Sequence, residues 1–303
     1  MAERPPLMPV RRPKGPTREE IRRRRIAALG AILAALIAVV IAVVIALPHV
    51  SAESTPTTTA IAAPKPFKII FPEGFTRTQM IERVGAVAKI AEDKSHKNVV
   101  LATKPYANAS HRAVIPCFKP HRQTNLEGFL FPATYDFLAT TTSRQLVQDQ
   151  LQAFCENWNQ VNLAYAKKKN LTPYDVLIIA SMVEKETLAP DERPKVAAVI
   201  YNRLHERMPL GIDATLRYGL KIPPTQSILQ SQLDSDNPYN SRKLAGLPPT
   251  PIANPGLASI QAAAHPAKVD YLYFVRKPDK QHHFFTASAS AFAQYECAHG
   301  YGC

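Results

Sequence analysis

Twenty-two consecutive residues, Ile26 to Leu47, carry no charge and are rich in Ala, Ile, Val and Leu. At ~1.5 Å rise per residue, a helix over this run crosses the ~30 Å hydrocarbon core of a bilayer. The run exceeds the ~7–15 apolar residues of a cleaved signal, so it reads as a retained anchor, although Val50-Ser51-Ala52 has the look of a signal-peptidase site. Arg22 to Arg25 and the basic residues before them keep the N-terminus cytoplasmic. Everything after the anchor then folds outside the cytoplasm.

That topology absorbs much of the charge. Residues 1–25 hold nine of the 37 Lys/Arg and three of the 24 Asp/Glu, which leaves 28 basic against 21 acidic residues, or +7. Orientation explains the basic tail more simply than nucleic-acid binding, and no nucleic-acid partner is expected. Four cysteines (Cys117, Cys155, Cys297, Cys303) show no Cys-x-x-Cys spacing and lie where disulfides persist. Cys117–Cys155 with Cys297–Cys303 is one of their three pairings. No His-Glu-x-x-His or comparable ligand set occurs, and neighbouring His282 and His283 in a strand point to opposite faces. No metal and no cofactor are expected.

Five segments follow: a basic tail (1–25), the span (26–47), a Thr/Ala/Pro linker (48–66), a small membrane-proximal α/β segment (67–125) and a larger domain (126–303). Stretched fully, residues 51–66 reach at most ~55 Å, so the folded part works near its membrane. Phe67 to Phe71 reads as a strand closed by a Pro72-Glu73-Gly74 turn, and Thr76-Arg77-Thr78-Gln79 opens a helix with a capping box. Residues 91–125 are ambiguous. Helices are expected over 143–158, 161–169, 173–187, 193–206 and 257–264. A hairpin pairs 271–275 with 283–286. Residues 209–255, rich in Pro, Gly and Asn and with short helical pieces, form a loop-rich stretch expected to shape a cleft. The expected class is α+β, with a helical core and short strands.

The chemistry concentrates at Glu184-Lys185-Glu186-Thr187, which ends an apolar helix. Apolar neighbours and the negative end of a helix both favour a protonated carboxyl, the state a general acid needs. Glu184 and Glu186 stand about 200° apart around the axis, so they are no catalytic pair. Taken alone, the pattern equally describes two solvated residues at a fraying helix end.

Several blocks go further. They are Ala180 to Thr187, Glu127 to Tyr135, Val199 to Leu204, Met208 to Thr215, Pro238 to Ser241, Gly246 to Pro249 with Pro251 to Gly256, and Ala262 to Lys268 leading into Tyr271 to Val275. In this order they resemble the endolytic murein transglycosylases of the MltG (YceG-like) family, over residues 67–290. The resemblance implies a peptidoglycan lytic transglycosylase with Glu186 as catalytic acid. It also implies sugar contacts from Asp213, Thr215, Asn240, Asn254 and Gly256. Implied partners are glycan strands, the inner membrane, and the glycan polymerases and transpeptidases of wall synthesis.

Alternatives stay open at several positions. Asp213 reads as an orienting or sugar-binding group, a structural loop acid, or the base of an inverting muramidase if a water fits between carboxyls ~6.5–9.5 Å apart. Asn254 and Gly256 suit ordinary turn chemistry as well as a sugar. A non-catalytic wall-binding scaffold is the remaining rival. Where the family usually has Pro, this chain has Ala214, and Ser241 replaces a common Thr. A LysM-like module expected between span and Phe67 is missing or severely shortened.

Overall fold

The computed structural model describes residues 65–118 and 125–301, together with Glu19, Arg22 and Arg23. The apolar run 26–47 and most of the tail and linker lie outside the described residues. Among the described residues no helix is long and apolar enough to cross a membrane.

In chain order the elements are β1 (Phe67–Ile70), α1 (Arg77–Ser95), α2 (Thr103–Ala109), β2 (Thr134–Phe137), α3 (Ser143–Trp158), α4 (Ala164–Lys168), α5 (Pro173–Glu186), α6 (Arg193–His205), α7 (Asp213–Leu220), α8 (Gln230–Leu233), α9 (Leu257–Ala264), β3 (Tyr273–Arg276), β4 (His283–Thr286) and α10 (Ala289–Ala298). This is a mixed α+β fold with two separate two-stranded antiparallel sheets.

Local chemistry sets the helix starts. The Thr76 hydroxyl accepts from the Gln79 N–H while the Gln79 side chain accepts from the Thr76 N–H, and Met80, Val84, Ala88 and Ala91 then bury one face of α1. Thr172 and Asp175 form the same reciprocal cap on α5, with Pro173 pre-set for the first turn. Eight consecutive residues of α5, Val176 to Val183, are buried. A helix apolar all round must lie inside, and α9, α6 and α7 pack around this one. Truncating Ile179, fully buried here, to Ala would cost about 2–5 kcal/mol.

Residues 64–303 form one unit, in which β1 pairs with β2 from Phe67↔Phe137 to Ile70↔Thr134. Phe118 packs its ring edge-on against Phe129, Phe154 and Trp158. Beside that cluster a Cys117–Cys155 disulfide ties the chain before α3 to α3 itself. Cys297 is also disulfide-bonded, whereas Cys303 lies outside the described residues. Two helices escaped the sequence reading. Short α2 falls in the polar stretch 91–125, and α10 has an alternating Ala/Ser start with weak periodicity.

One pair of side chains on α6 positions the rest. The Asn202 amide donates to the carbonyls of Val269 and Tyr271, at 3.0 and 2.9 Å. Arg203 donates to Leu272 through Nε and to Leu210 through a terminal nitrogen. Together they hold the approach to β3 and the approach to α7 against one helix face.

Candidate active site

α5 ends at Glu186 because Thr187 turns to extended backbone and Pro190 follows. The two glutamates of the motif diverge as their spacing requires. Glu184 accepts from the Gly256 N–H at 3.0 Å, and its chain lies beside Gly74. Glu186 faces the other way, toward the first turn of α7 and the end of β3. Its side chain is partly buried, and burial pushes its pKa up to about 7. The charge of Asp213 adds to that rise. Arg276, the Ala214 N–H and Arg242 act against it.

A half-buried carboxyl held near neutrality, facing a helix N-terminus and two guanidinium groups, can release a proton and take one back. Asp213 itself is ion-paired to Arg242. That pairing occupies one oxygen of the carboxylate that sequence reasoning offered as a sugar contact or a base. Arg276 and Arg242 are exposed and were not singled out from sequence. Arginine in a surface strand or loop carries no signal until the fold brings it to a carboxylate.

The remaining expected sugar contacts, Thr215, Asn240, Asn254 and Gly256, are buried. Thr215 is fully buried, with its hydroxyl 2.7 Å from the Ile212 carbonyl and 2.8 Å from the Ser241 hydroxyl. Buried Asn240 donates to the carbonyls of Leu233 and Ser235, both at 2.8 Å. Asn254 accepts from the Gly128 and Leu130 N–H groups and donates to the Phe75 carbonyl and to Glu127. Every polar atom of these three side chains has a protein partner. Gly256 gives its N–H to Glu184. An added Cβ there would collide with the Glu73 carboxylate, so the glycine makes room for that side chain.

Sequence reasoning missed Glu127. It is 3% exposed and accepts from the Arg77 N–H at 2.9 Å, the Asn254 amide at 2.9 Å and the Tyr218 hydroxyl at 3.1 Å. Burial pushes its pKa to about 7, against the Arg77 N–H, the Tyr218 hydroxyl, the Arg77 charge and Asn254. Because Tyr218 belongs to α7, Glu127 fixes the helix whose first turn meets Glu186. A lone acid inside the aromatic block 126–131 was the available signal. Two surface cavities that share Tyr201 contain none of these residues, and no cluster of metal-ligating side chains occurs among the described residues.

The fold has close relatives. A crystal structure of a yceG-like protein from Listeria monocytogenes superposes with a TM-score of 0.64 at 27% identity, over 77% of each chain. An endolytic murein transglycosylase of Bacillus subtilis is 41% identical over 155 residues, which is 50% of this chain and 42% of the relative. One from Streptococcus pneumoniae is 33% identical over 222 residues, 68% of this chain and 40% of the relative. The chain therefore spans about two-fifths of the length of these curated relatives. The sequence profile of the YceG-like family matches residues 49–296, and with the architecture around Glu186 this shows that the chain belongs to the YceG-like family.

Proposed function

We propose that this protein is a membrane-anchored lytic transglycosylase that cuts peptidoglycan strands internally, between N-acetylmuramic acid and N-acetylglucosamine. The observation that carries the reading is Glu186, a half-buried carboxyl whose pKa stands near 7, set between the head of α7 and the end of β3. The likeness to curated relatives named endolytic murein transglycosylase supports the same chemistry.

In the proposed reaction protonated Glu186 donates to the glycosidic oxygen, and the C1–O4 bond breaks through an oxocarbenium-like state. The muramic 6-hydroxyl then attacks C1, and its proton returns to the ionised Glu186. The products are a free 4-hydroxyl on one strand and a 1,6-anhydro ring on the other. No water is consumed, and the acid is regenerated. With an intramolecular nucleophile, no second carboxylate has to hold a water. The pairing of Asp213 with Arg242 favours this route over inverting hydrolysis, which requires a carboxylate free to deprotonate water. Arg276 and Arg242 favour the ionised form of Glu186 and so assist the second half of the cycle.

Anchoring by residues 26–47 and a short linker would hold the site at a fixed height above the bilayer, cutting nascent strands beside the polymerases and transpeptidases that make them. Mass spectrometry of glycan digested by the purified chain and by Glu186→Gln tests the chemistry. Anhydro ends are expected from the first and none from the second, whereas reducing ends would establish a muramidase. Wall-binding without cleavage in both would leave a scaffold. The tether is tested separately: lengthening the linker should shift the distribution of product lengths, and an unchanged distribution removes that element.

A further inference from the structure

Glu192 and His283 form a buried pair outside the chemistry described so far. They are 4% and 5% exposed. The Glu192 carboxylate lies 2.7 Å from the His283 Nδ1 and accepts from the His283 backbone N–H at 3.0 and 3.1 Å. Glu192 also stands at the N-cap of α6, where the helix dipole favours a negative charge. The imidazole is wedged among Phe274, ring centroids 5.4 Å apart, and Phe285, at 6.0 Å. A ring clamped at Nδ1, at its own backbone and on its flanks has one orientation. Such clamping fixes which nitrogen remains for other work.

That nitrogen is Nε2. Among the described residues the ring's hydrogen bond is made through Nδ1 alone, and the side chain is 3% exposed. The hairpin register indicates which way it faces. Arg276 is the direct cross-strand partner of His283, and Phe274 that of Phe285, so these four side chains share one face of the hairpin. Tyr273 and Phe284, on the other face, stack on Phe292 and Tyr295 of α10. The face bearing His283 is therefore the one bearing Arg276, whose charge acts on Glu186.

We infer that His283, oriented by Glu192, is a sugar-contacting residue of the Glu186 site, its Nε2 accepting a hydrogen bond from an O–H or N–H of an N-acetylated amino sugar in the glycan. The assignment rests on the glycan reading given above. It adds a recognition element that the Glu-Lys-Glu-Thr motif does not contain. With Nδ1 engaged by Glu192, Nε2 is the ring's remaining polar atom, a lone-pair acceptor in the Nδ1–H tautomer. The best-matched donors on such a glycan are sugar hydroxyls and the acetamido N–H.

Two substitutions separate contact from scaffolding. In His283→Asn the side-chain amide takes the place of Nδ1 and still donates to Glu192, but nothing occupies the Nε2 position. In His283→Gln the amide reaches toward the Nε2 position. With the full chain in detergent and purified glycan strands, His283→Asn should melt within a few degrees of the parent and raise KM about tenfold. His283→Gln should recover part of that loss. An Asn variant that cleaves with parental KM and kcat overturns the inference while leaving the glycosidic chemistry standing. A parent chain that cleaves no glycan overturns the chemistry instead. Should His283→Asn fail to fold, nitrogen NMR of histidine-labelled Glu186→Gln chain decides. Adding an uncleaved glycan oligomer should shift the His283 Nε2 signal, and an unmoved signal with glycan bound rejects the contact.

Discussion

Glu127 and Glu186 are both carboxyls that burial pushes up to about 7, and α7 touches both, through Tyr218 at one end and Ala214 at the other. Their surroundings differ in kind. Glu127 is sealed and takes hydrogen bonds from a helix N-terminus, an amide and a phenol. Glu186 is only partly buried and faces charges that oppose one another. A perturbed pKa is common to the two, so it does not tell them apart. Access and spare valence do: a carboxylate whose lone pairs are all committed to the fold has none to offer a substrate.

The sharpest way to break this contrast is to neutralise each carboxyl and ask what is lost. Glu186→Gln removes both proton donor and acceptor while preserving shape. Cleavage should fall by about 10³-fold or more, with melting unchanged or slightly raised because a desolvated acid is gone. The assay is release of anhydro-ended fragments together with a thermal melt. Glu127→Ala should show the reverse pattern. It leaves the Arg77 N–H, the Asn254 amide and the Tyr218 hydroxyl without a partner in a closed space. At about 1–3 kcal/mol per orphaned group, a loss of several kcal/mol is expected. That corresponds to a melting temperature lower by about 10 °C for a domain of this size. Were Glu127→Ala as stable as the parent and inactive, the assignment of roles would be inverted.

The pH dependence sharpens the comparison at Glu186. The folded pKa is raised, so the protonated acid is present below about 7 and is lost as pH rises through that value. kcat/KM should therefore decline on the alkaline side. Its stability contribution has the same sign: present at acid pH, lost as pH climbs through the folded pKa. Asp213→Asn removes a charge that raises the pKa, so the alkaline limb should move to lower pH. Arg276→Gln removes an opposing charge and should move it higher. Profiles of kcat/KM against pH for the three chains check the order; a limb unmoved by both changes would show that Glu186 is set by desolvation alone.

How far the sequence anticipates this depends on the physics behind each feature. Capping boxes and i, i+4 apolar spacing are local, so α3, α5 and the start of α1 are legible within a residue and the β3–β4 hairpin within two, whereas the polar end of α1 at Ser95 is not. Glu186 is legible because the motif and its helix end coincide. Thr215, Asn240 and Asn254 show the limit. A polar residue in a matched block reads the same whether it faces a ligand or a buried carbonyl, and only the tertiary partners tell the two apart. Arg242, Arg276 and the Glu192–His283 pair join residues separated by 29 to 91 positions along the chain, a range that no local periodicity reports.

The smallest predicted effect probes the contact between Gly256 and the first glutamate of the motif, Glu184. Gly256 keeps an ordinary extended φ of −75°, so its glycine identity reflects space, not backbone strain. A methyl group there meets the Glu73 carboxylate, which shares this corner with Glu184, and desolvation followed by the Glu184 charge raises the Glu73 pKa. Gly256→Ala must displace Glu73 or break the Gly256–Glu184 hydrogen bond. Because Glu73 lies at the surface, its side chain can swing away, so the cost should be about 1 kcal/mol. Glu73→Ala in the same chain should restore most of it, giving a coupling energy in a double-mutant cycle followed by denaturant melts. Additive effects would mean that the methyl group strains the Glu184 contact directly. In that case α5 and α9, rather than the Pro72–Phe75 turn, carry the constraint on the Glu184 side of α5.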